Sequence, residues 1–193
     1  KNIIRNHESE GVDFWWIDWQ QHLTSNDTYG LSETFWCNHI FFNDMVRKRT
    51  DRRPVIFHRW GGLGSHRYQI GFSGDALINF QTLGFQPYFT ATASNVGYGY
   101  WGHDLGGHAF TDESIVNDPE LVLRWIQFGV FTPIFRTHAT NDARIERRIW
   151  KFDNFPTMLE AVRLRYSLFP YLYTMARKAY DTGISVCLSL IHI

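Results

Sequence analysis

The chain has 193 residues, of which 44% are hydrophobic and 20% are charged, and this composition excludes an intrinsically disordered protein. The 19 basic and 19 acidic residues give a formal net charge of zero, which argues against nucleic acid as a partner. Because no apolar run reaches the roughly 20 residues of a membrane span, the sequence predicts no membrane partner.

Aromatic side chains are frequent, at 17% of all residues. Their apolar faces stack on the C–H surfaces of sugar rings, so the composition favours a carbohydrate ligand, with an aromatic-rich core as the alternative. The two cysteines, Cys37 and Cys187, give neither a disulfide framework nor the spacing of a metal site.

The first predicted element is a buried strand over residues 12–18, which ends on Asp18 within the sequence GVDFWWIDWQQ. Strands of a parallel sheet covered on both faces are continuous apolar runs, and in a (β/α) barrel the residues at their carboxyl ends form the active site. Asp18 is therefore the first candidate for catalysis. The alternative is an aspartate that caps the following turn.

The next elements alternate between helix and strand. A helix is predicted over residues 31–48 with Ser32 as its N-cap, followed by a second buried strand over 54–59 that ends on Arg59. A glycine-rich loop at 61–64 leads to the segment around Asp75. Pro87 is predicted to open a helix that runs to about residue 96.

The second half of the chain continues the alternation. A third strand is predicted over residues 98–104, and the pair Asp118 and Pro119 predicts the start of a helix over 121–131. A fourth strand over 134–138 ends on His138. A final helix is predicted from about residue 157 to 180, with a kink at Pro170.

Strands that end in ionisable residues and alternate with helices predict the α/β class and a (β/α)₈ TIM barrel. An open, doubly wound sheet would carry a glycine-rich phosphate turn after its first strand, and the sequence has none there. A whole barrel takes about 250 residues, so the chain is predicted to be a partial barrel, roughly the second half.

The domain organisation follows from this interpretation. Residues 1–187 are predicted to be one partial catalytic barrel, and residues 188–193 a non-native tail that resembles translated adapter sequence. Half a barrel exposes the edges of its sheet, so the 193-residue piece is expected to be unstable or prone to aggregation by itself.

Four ordered motifs resemble those of glycoside hydrolase family 31. The sequence WIDWQQ around Asp18 resembles that family's nucleophile motif. The segment from Arg59 to the sequence SGD at Asp75 resembles its arginine and its acid/base motif. The sequences WGHDLGG and FRTH, which contain Asp104 and His138, follow in the family's order and at close to its spacings. The resemblance covers about residues 11–183.

The resemblance implies a retaining, exo-acting α-glycosidase that takes an oligosaccharide or glycoside substrate and needs no cofactor. Asp18 would be the nucleophile that forms a glycosyl-enzyme, and Asp75 would be the general acid and base. The substrate-binding residues that it implies are Arg59, His138, Asp104, Trp16, Phe72 and Trp19.

Several activities are open within this resemblance. An α-glucosidase is the default, followed by an α-xylosidase or an α-galactosidase, and an α-glucan lyase or a non-catalytic sugar-binding fragment would also fit. The sequence departs from the commoner family pattern at Trp19-Gln20-Gln21, at Phe72 and at His108, where Met-Asn-Glu, tryptophan and an aromatic residue are usual. These changes leave both catalytic carboxylates in place and alter which sugar substituents fit.

Structural roles are also open for the polar residues. Arg59 could neutralise a buried charge on Asp104, and His138 could be a core histidine. The residues His103, Asp104 and His108 are good metal ligands by type, but their spacing matches no established zinc pattern, so no metal site is predicted.

Overall fold

A computed structural model describes residues 2–18, 28–59, 62–110 and 118–188. Trp19, one of the predicted substrate-binding residues, lies outside the described residues, as do residues 189–193 of the predicted tail. The chain divides into two compact units, Lys1–Gly71 and Phe72–Ile193, which are described separately below.

The first unit alternates helices and strands. Its elements are helix α1 (Asn2–Ser9), strand β1 (Trp15–Ile17), helix α2 (Glu33–Lys48), strand β2 (Ile56–Arg59), a 3-10 turn (Ser65–Tyr68) and strand β3 (Gln69–Phe72), whose last residue belongs to the second unit. Strands β1 and β2 are parallel, with Trp15 opposite Ile56 and Ile17 opposite His58. Strand β2 lies between β1 and β3.

The core of the first unit lies between its strands and α2. It consists of Ile17, Met45, Ile56 and Tyr68, with partly buried aromatic side chains around them. The predicted N-cap of α2 is confirmed, because the Ser32 side chain accepts a hydrogen bond from the Phe35 N–H at 3.4 Å. This cap and the buried Met45 fix α2 beside the strands.

Strand β1 is shorter than the predicted 12–18. The carbonyls of Val12 and Asp13 accept hydrogen bonds from the Arg49 side chain, which replaces the ladder that a longer strand would need. The sequence also failed to predict α1 and β3. Strand β3 has only four residues, one of them Gly71, and so lacks the alternating pattern that predicts a strand.

The second unit is mainly helical. Its elements are helix α3 (Phe80–Asn95), strand β4 (Tyr100–Gly102), helix α4 (Pro119–Gly129), a 3-10 turn (Ile149–Lys151), helix α5 (Phe155–Ser167) and helix α6 (Phe169–Thr182). Near the start of this unit, the Ser73 N–H donates to the carbonyl of Gly102 in β4 at 3.1 Å. The largest buried cluster includes Leu105, Trp125, Ile126 and Met158.

The predicted start of the helix at Pro87 is wrong. Helix α3 begins seven residues earlier, where the Asn79 side chain caps the Thr82 N–H at 2.7 Å. Pro87 lies inside the helix and its side chain is exposed. Proline at this position removes one backbone donor, and the strong cap and long flanking turns allow the helix to continue through it.

The helix start at Asp118 and Pro119 is confirmed, because the Asp118 side chain accepts from the Glu120 N–H at 2.9 Å. The predicted final helix is two helices, since α5 ends at Ser167 and Pro170 lies in the first turn of α6. Proline has no N–H to donate, so it starts a new helix there instead of bending one helix.

The predicted fourth strand, residues 134–138, is an extended segment in place of a regular strand. The Ile134 N–H donates to the Trp101 carbonyl at 3.2 Å, and the Leu105 N–H donates to the Arg136 carbonyl at 3.1 Å. A single parallel bridge joins Leu105 to Thr137. The segment therefore runs beside β4 and its continuation without a continuous ladder.

Among the described residues, no helix has the length and hydropathy to cross a membrane.

Candidate active site

In the first unit, Asp18 follows β1 directly and Arg59 is the last residue of β2. The two strands are parallel neighbours, so their carboxyl ends lie at one edge of the sheet. The Arg59 Nε donates to Asp18 Oδ1 at 2.8 Å. The Arg59 side chain is only 10% exposed, whereas that of Asp18 is 45% exposed. A nearly buried guanidinium thus fixes the orientation of a carboxylate that a ligand can reach.

Trp16 lies in β1, two residues before Asp18. Its side chain is 39% exposed, and its ring centroid lies 5.5 Å from that of Phe57 on the neighbouring strand β2. The ring is therefore held by a neighbouring aromatic side chain and still presents apolar surface to a ligand.

In the second unit, Asp104 follows β4 and is fully buried. Burying a carboxylate is costly unless it is paired, and here Arg136 Nη2 donates to its Oδ1. The Arg136 guanidinium also lies over the Phe72 ring, 5.0 Å from its centroid, in a cation–π contact. Phe72 is 1% exposed, so Arg136 packs against a ring that the core holds in place.

His108 lies between two carboxylates in this unit. Its Nδ1 is 3.3 Å from Asp104 Oδ2 and 3.7 Å from Asp75 Oδ1. Its ring centroid lies 5.4 Å from that of His138, with the planes tilted by 35°. His108 is therefore surrounded by three of the predicted site residues, Asp75, Asp104 and His138. From the sequence, His108 is only a departure from the family pattern.

The turn at Gly106 and Gly107 brings His108 back to Asp104. Both glycines have positive φ angles, 101° and 82°, which other residues rarely adopt. Arg147 Nη2 donates to the carbonyls of both glycines, at 2.8 and 2.6 Å. A Cβ on Gly106 would lie 2.6 Å from Arg147 Nε, so a larger residue there would displace the guanidinium.

Burial lowers the pKa of Arg147 to about 10, although the neighbouring carboxylates of Asp104 and Glu146 raise it in part. The side chain therefore remains a cation at neutral pH, at the turn that places His108. Nothing in the sequence near Arg147 indicates this role, because the residue lies some forty positions after the turn.

His103 does not belong with Asp104 and His108 as a metal ligand, so a metal site built from those three residues is excluded. Its Nε2 lies 2.8 Å from Thr90 Oγ1 and its Nδ1 lies 2.8 Å from Ser73 Oγ. It is fully buried, and burial lowers its pKa to about 3, so the ring is neutral. Ser73 precedes Asp75 by two residues and Thr90 lies in helix α3. His103 therefore links the loop that contains Asp75 with helix α3.

The segment that carries Arg136 and His138 is held from helix α5. The Arg165 guanidinium donates to the carbonyls of Val130, Thr132 and Pro133, at 2.9 Å for Val130 and 2.7 Å for Pro133. Burial lowers the pKa of Arg165. The three hydrogen bonds satisfy carbonyl groups just after α4, where the end of a helix leaves such groups without partners.

A small cavity of about 150 Å³ opens elsewhere in the second unit. Tyr100, Pro133, Arg165 and residues of α6 line it, and none of the predicted site residues does. We therefore place the candidate chemistry at the carboxylates. Asp18 and Arg59 are brought together in the first unit, and Asp75, Asp104, His138, Arg136 and His108 in the second.

Residues 1–175 match the profile described as "Glycosyl hydrolases family 31 TIM-barrel domain". The chain is 34% identical over 170 residues to a probable glucan 1,3-alpha-glucosidase of Oryza sativa subsp. japonica. The matched region is 86% of this chain and 17% of that protein. It is 32% identical over 148 residues to an alpha-xylosidase of Saccharolobus solfataricus. That matched region is 75% of this chain and 20% of the xylosidase.

Among solved structures, the chain resembles a family 31 dextranase of Flavobacterium johnsoniae in complex with isomaltotriose. The TM-score is 0.78 at 25% identity, over 94% of this chain and 25% of that one. The chain thus spans a quarter or less of the length of each of these relatives. The predicted partial TIM barrel is confirmed, and the chain belongs to glycoside hydrolase family 31.

Proposed function

We propose that this chain carries the catalytic carboxylates of a retaining, exo-acting α-glycosidase, with Asp18 as the nucleophile and Asp75 as the general acid and base. The observation that carries the proposal is the Asp18–Arg59 pair. A partly exposed carboxylate lies at the carboxyl end of a parallel strand, where barrel enzymes place their chemistry, in a chain that matches family 31 over residues 1–175.

The proposed reaction has two steps. First, the Asp18 carboxylate attacks the anomeric carbon, the bond from that carbon to the leaving oxygen breaks, and Asp75 gives its proton to that oxygen. Second, Asp75 takes a proton from water, whose oxygen attacks the anomeric carbon and releases the Asp18 carboxylate. Two inversions at one carbon give net retention, and Asp75 recovers its proton for the next cycle.

The proposed roles of the other residues follow from their chemistry. Arg59 and His138 would hydrogen-bond sugar hydroxyls in the subsite next to the cleaved bond, and the buried Asp104 would be a further carboxylate of the same pocket. Trp16 would stack on a sugar ring, as exposed indole faces do, and Trp19 is proposed for the same subsite from the sequence alone. Phe72, predicted as a wall of the pocket, is only 1% exposed, and we propose that it acts through its cation–π contact, which would keep Arg136 in place.

The relatives favour two substrate classes. An α-glucoside is the first choice, because the rice relative is named as a glucan 1,3-alpha-glucosidase. An α-xyloside is the second, because the archaeal relative is named as an alpha-xylosidase. The departures at Trp19-Gln20-Gln21 and His108 argue for testing both, together with an α-galactoside.

The test uses the full-length protein and an activated α-glucoside with a 5-fluoro substituent, followed by mass spectrometry of the digested protein. We expect the label on Asp18. Asp18→Asn should lower kcat by a factor on the order of 10⁴ or more, because it removes the nucleophile. The control Asp13→Asn changes an exposed carboxylate in the same segment and should leave kcat unchanged.

Four outcomes would contradict parts of the proposal. A label on another residue, or turnover with inversion of configuration by NMR, would exclude Asp18 as the nucleophile. An unsaturated product would indicate a lyase. Binding of α-glucosides, α-xylosides and α-galactosides without turnover would indicate a non-catalytic sugar-binding protein.

A further inference from the structure

Three potential metal ligands meet in the second unit. Asp104, His108 and His138 each offer one ligand atom, and these atoms lie within 4.8 Å of one another. Asp104 is buried and the two histidines are half-buried. Two imidazoles and one carboxylate form a donor set that suits divalent transition metals such as Zn²⁺.

We propose that Asp104, His108 and His138 form a binding site for Zn²⁺ or a similar divalent transition-metal ion. The distance between His108 Nδ1 and Asp104 Oδ2, 3.3 Å, carries the argument. Zinc bonds to nitrogen and to carboxylate oxygen are about 2.0–2.2 Å long, and at a tetrahedral angle this places two ligand atoms about 3.4 Å apart. An ion would fit between these two atoms without movement of the backbone, and the ligand atom of His138 lies within 4.8 Å of both.

The surroundings of the three residues support a preformed site. Arg136 binds Asp104 Oδ1, and Oδ2 is the oxygen nearest His108. Such a hydrogen bond to the second oxygen of a ligating carboxylate fixes its orientation. Arg147 holds the turn that places His108, so one of the ligands is positioned before any ion arrives.

The charges around the site set its strength and type. Asp104 and Asp75 bring two negative charges to His108, and Arg136 and Arg147 bring two positive ones. A dication therefore enters a site with little net attraction, and only three protein ligands hold it. This is the pattern of an exchangeable ion with an open fourth position, unlike a closed structural zinc site.

The site has a consequence for activity that rests on the proposed function. His138 is proposed to bind a sugar hydroxyl, so an ion held by His138 and a sugar would exclude each other. Zn²⁺ is then expected to inhibit competitively, raising KM for the glycoside without lowering kcat.

The test is direct metal binding to the full-length protein. The protein is stripped with EDTA, dialysed and titrated with ZnCl₂ by calorimetry. CoCl₂ is titrated in parallel, because four-coordinate Co²⁺ has strong visible absorption. The variants are His108→Asn and His138→Asn, with His66→Asn as a matched control on an exposed histidine of the first unit. Circular dichroism checks that each variant is folded.

We expect one saturable ion per chain in the wild type and in His66→Asn, with affinity lowered at least tenfold in each of the other two variants. Equal affinity in all four proteins, or no saturable uptake, would overturn the proposal. If one variant fails to fold, the other still decides the result. Metal binding is measured without any glycoside, so it can succeed where the glycosidase proposal fails, and the reverse also holds.

Discussion

Arg59 carries a charge that is almost completely covered, and its Nε donates to the carboxylate proposed as the nucleophile. Removal of the guanidinium in Arg59→Ala would free the Asp18 side chain to leave the attacking geometry. We expect kcat/KM for an α-glycoside to fall on the order of 100-fold or more. Arg59→Lys should rescue little of this loss, because a lysine does not reproduce the planar donor. Unchanged kinetics in Arg59→Ala would remove Arg59 from the site, and Arg47→Ala, on the exposed end of α2, is the control.

Asp75 has a role that depends on the leaving group. If it protonates the leaving oxygen, Asp75→Ala should lower kcat/KM by about 10²–10⁴-fold for an alkyl α-glycoside. An α-glycosyl fluoride needs no such proton, so its loss should be much smaller. A parallel loss for both substrates would contradict the assignment. Asp153→Ala, an exposed carboxylate in the same unit, controls for a general effect of charge.

His103 makes the stability of the protein depend on pH. Its pKa is about 3 in the folded state, far below the usual 6.5, so the unfolded state binds more protons between these values. Stability is therefore complete above about pH 6.5 and falls as the pH is lowered, by about 3 kcal/mol at pH 4.5. The buried His58, whose pKa is also lowered by burial, adds to this effect in the first unit.

The measurement compares thermal unfolding at pH 7 and pH 4.5 in wild type and His103→Asn. We expect the variant to be less stable at pH 7, since it loses the Ser73 and Thr90 contacts, and to lose less stability on acidification. His66→Asn should behave as the wild type. Identical acid sensitivity in His103→Asn and wild type would show that His103 is not the cause.

Residue types alone predicted part of the candidate site. Asp18, Asp75 and Asp104 could be selected because each is a carboxylate near the end of an apolar segment. His108 and Arg147 could not be assigned, because their positions depend on a turn with two left-handed glycines and on a contact across 40 residues. Trp19 stays a prediction, since it lies outside the described residues.

At the scale of elements, two helical glycines differ in their surroundings. Gly84 in α3 has open space where a Cβ would lie, whereas a Cβ on Gly129 in α4 would lie 2.5 Å from Leu105 Cδ1. Gly84→Ala should stabilise the protein by about 0.5–1 kcal/mol through helix propensity. Gly129→Ala should destabilise it by about 1–3 kcal/mol through overpacking. Thermal unfolding of both variants tests the pair, and equal shifts of the same sign would contradict this account of α4 packing.

Local signals predicted α2 and α4 well, because Ser32 and Asp118 are strong N-caps that precede helical patterns. The strands were predicted less well. Their lengths depend on which backbone groups find partners, as Arg49 shows by binding the carbonyls before β1. Pro87 misled the interpretation because the better cap, Asn79, follows an apolar segment that gave no boundary signal.

At the scale of the whole molecule, α6 presents an aromatic surface. Phe169, Tyr171, Tyr173 and Tyr180 are between 58% and 75% exposed. Exposed aromatic side chains in this number on one helix promote association. The 193-residue chain alone should therefore bind an apolar dye and aggregate at micromolar concentration.

The double variant Phe169→Ser with Tyr173→Ser should reduce both dye binding and aggregation, measured by fluorescence and size-exclusion chromatography. Tyr29→Ser removes one fully exposed aromatic side chain outside α6 and serves as the control. If the double variant aggregates as fast as the control, another surface is responsible.

The contact of Arg165 with the carbonyls after α4 has a practical consequence for protein engineering. Residues 130–138, which carry Arg136 and His138, are an obvious cassette for exchange between family members with different sugar preferences. The cassette depends on α5, because the Arg165 guanidinium of that helix binds three of the cassette's backbone carbonyls and so fixes the path of the exchanged segment. A graft that leaves Arg165 without its three carbonyls would misplace the transplanted side chains, so exchanges should take residues 130–165 together.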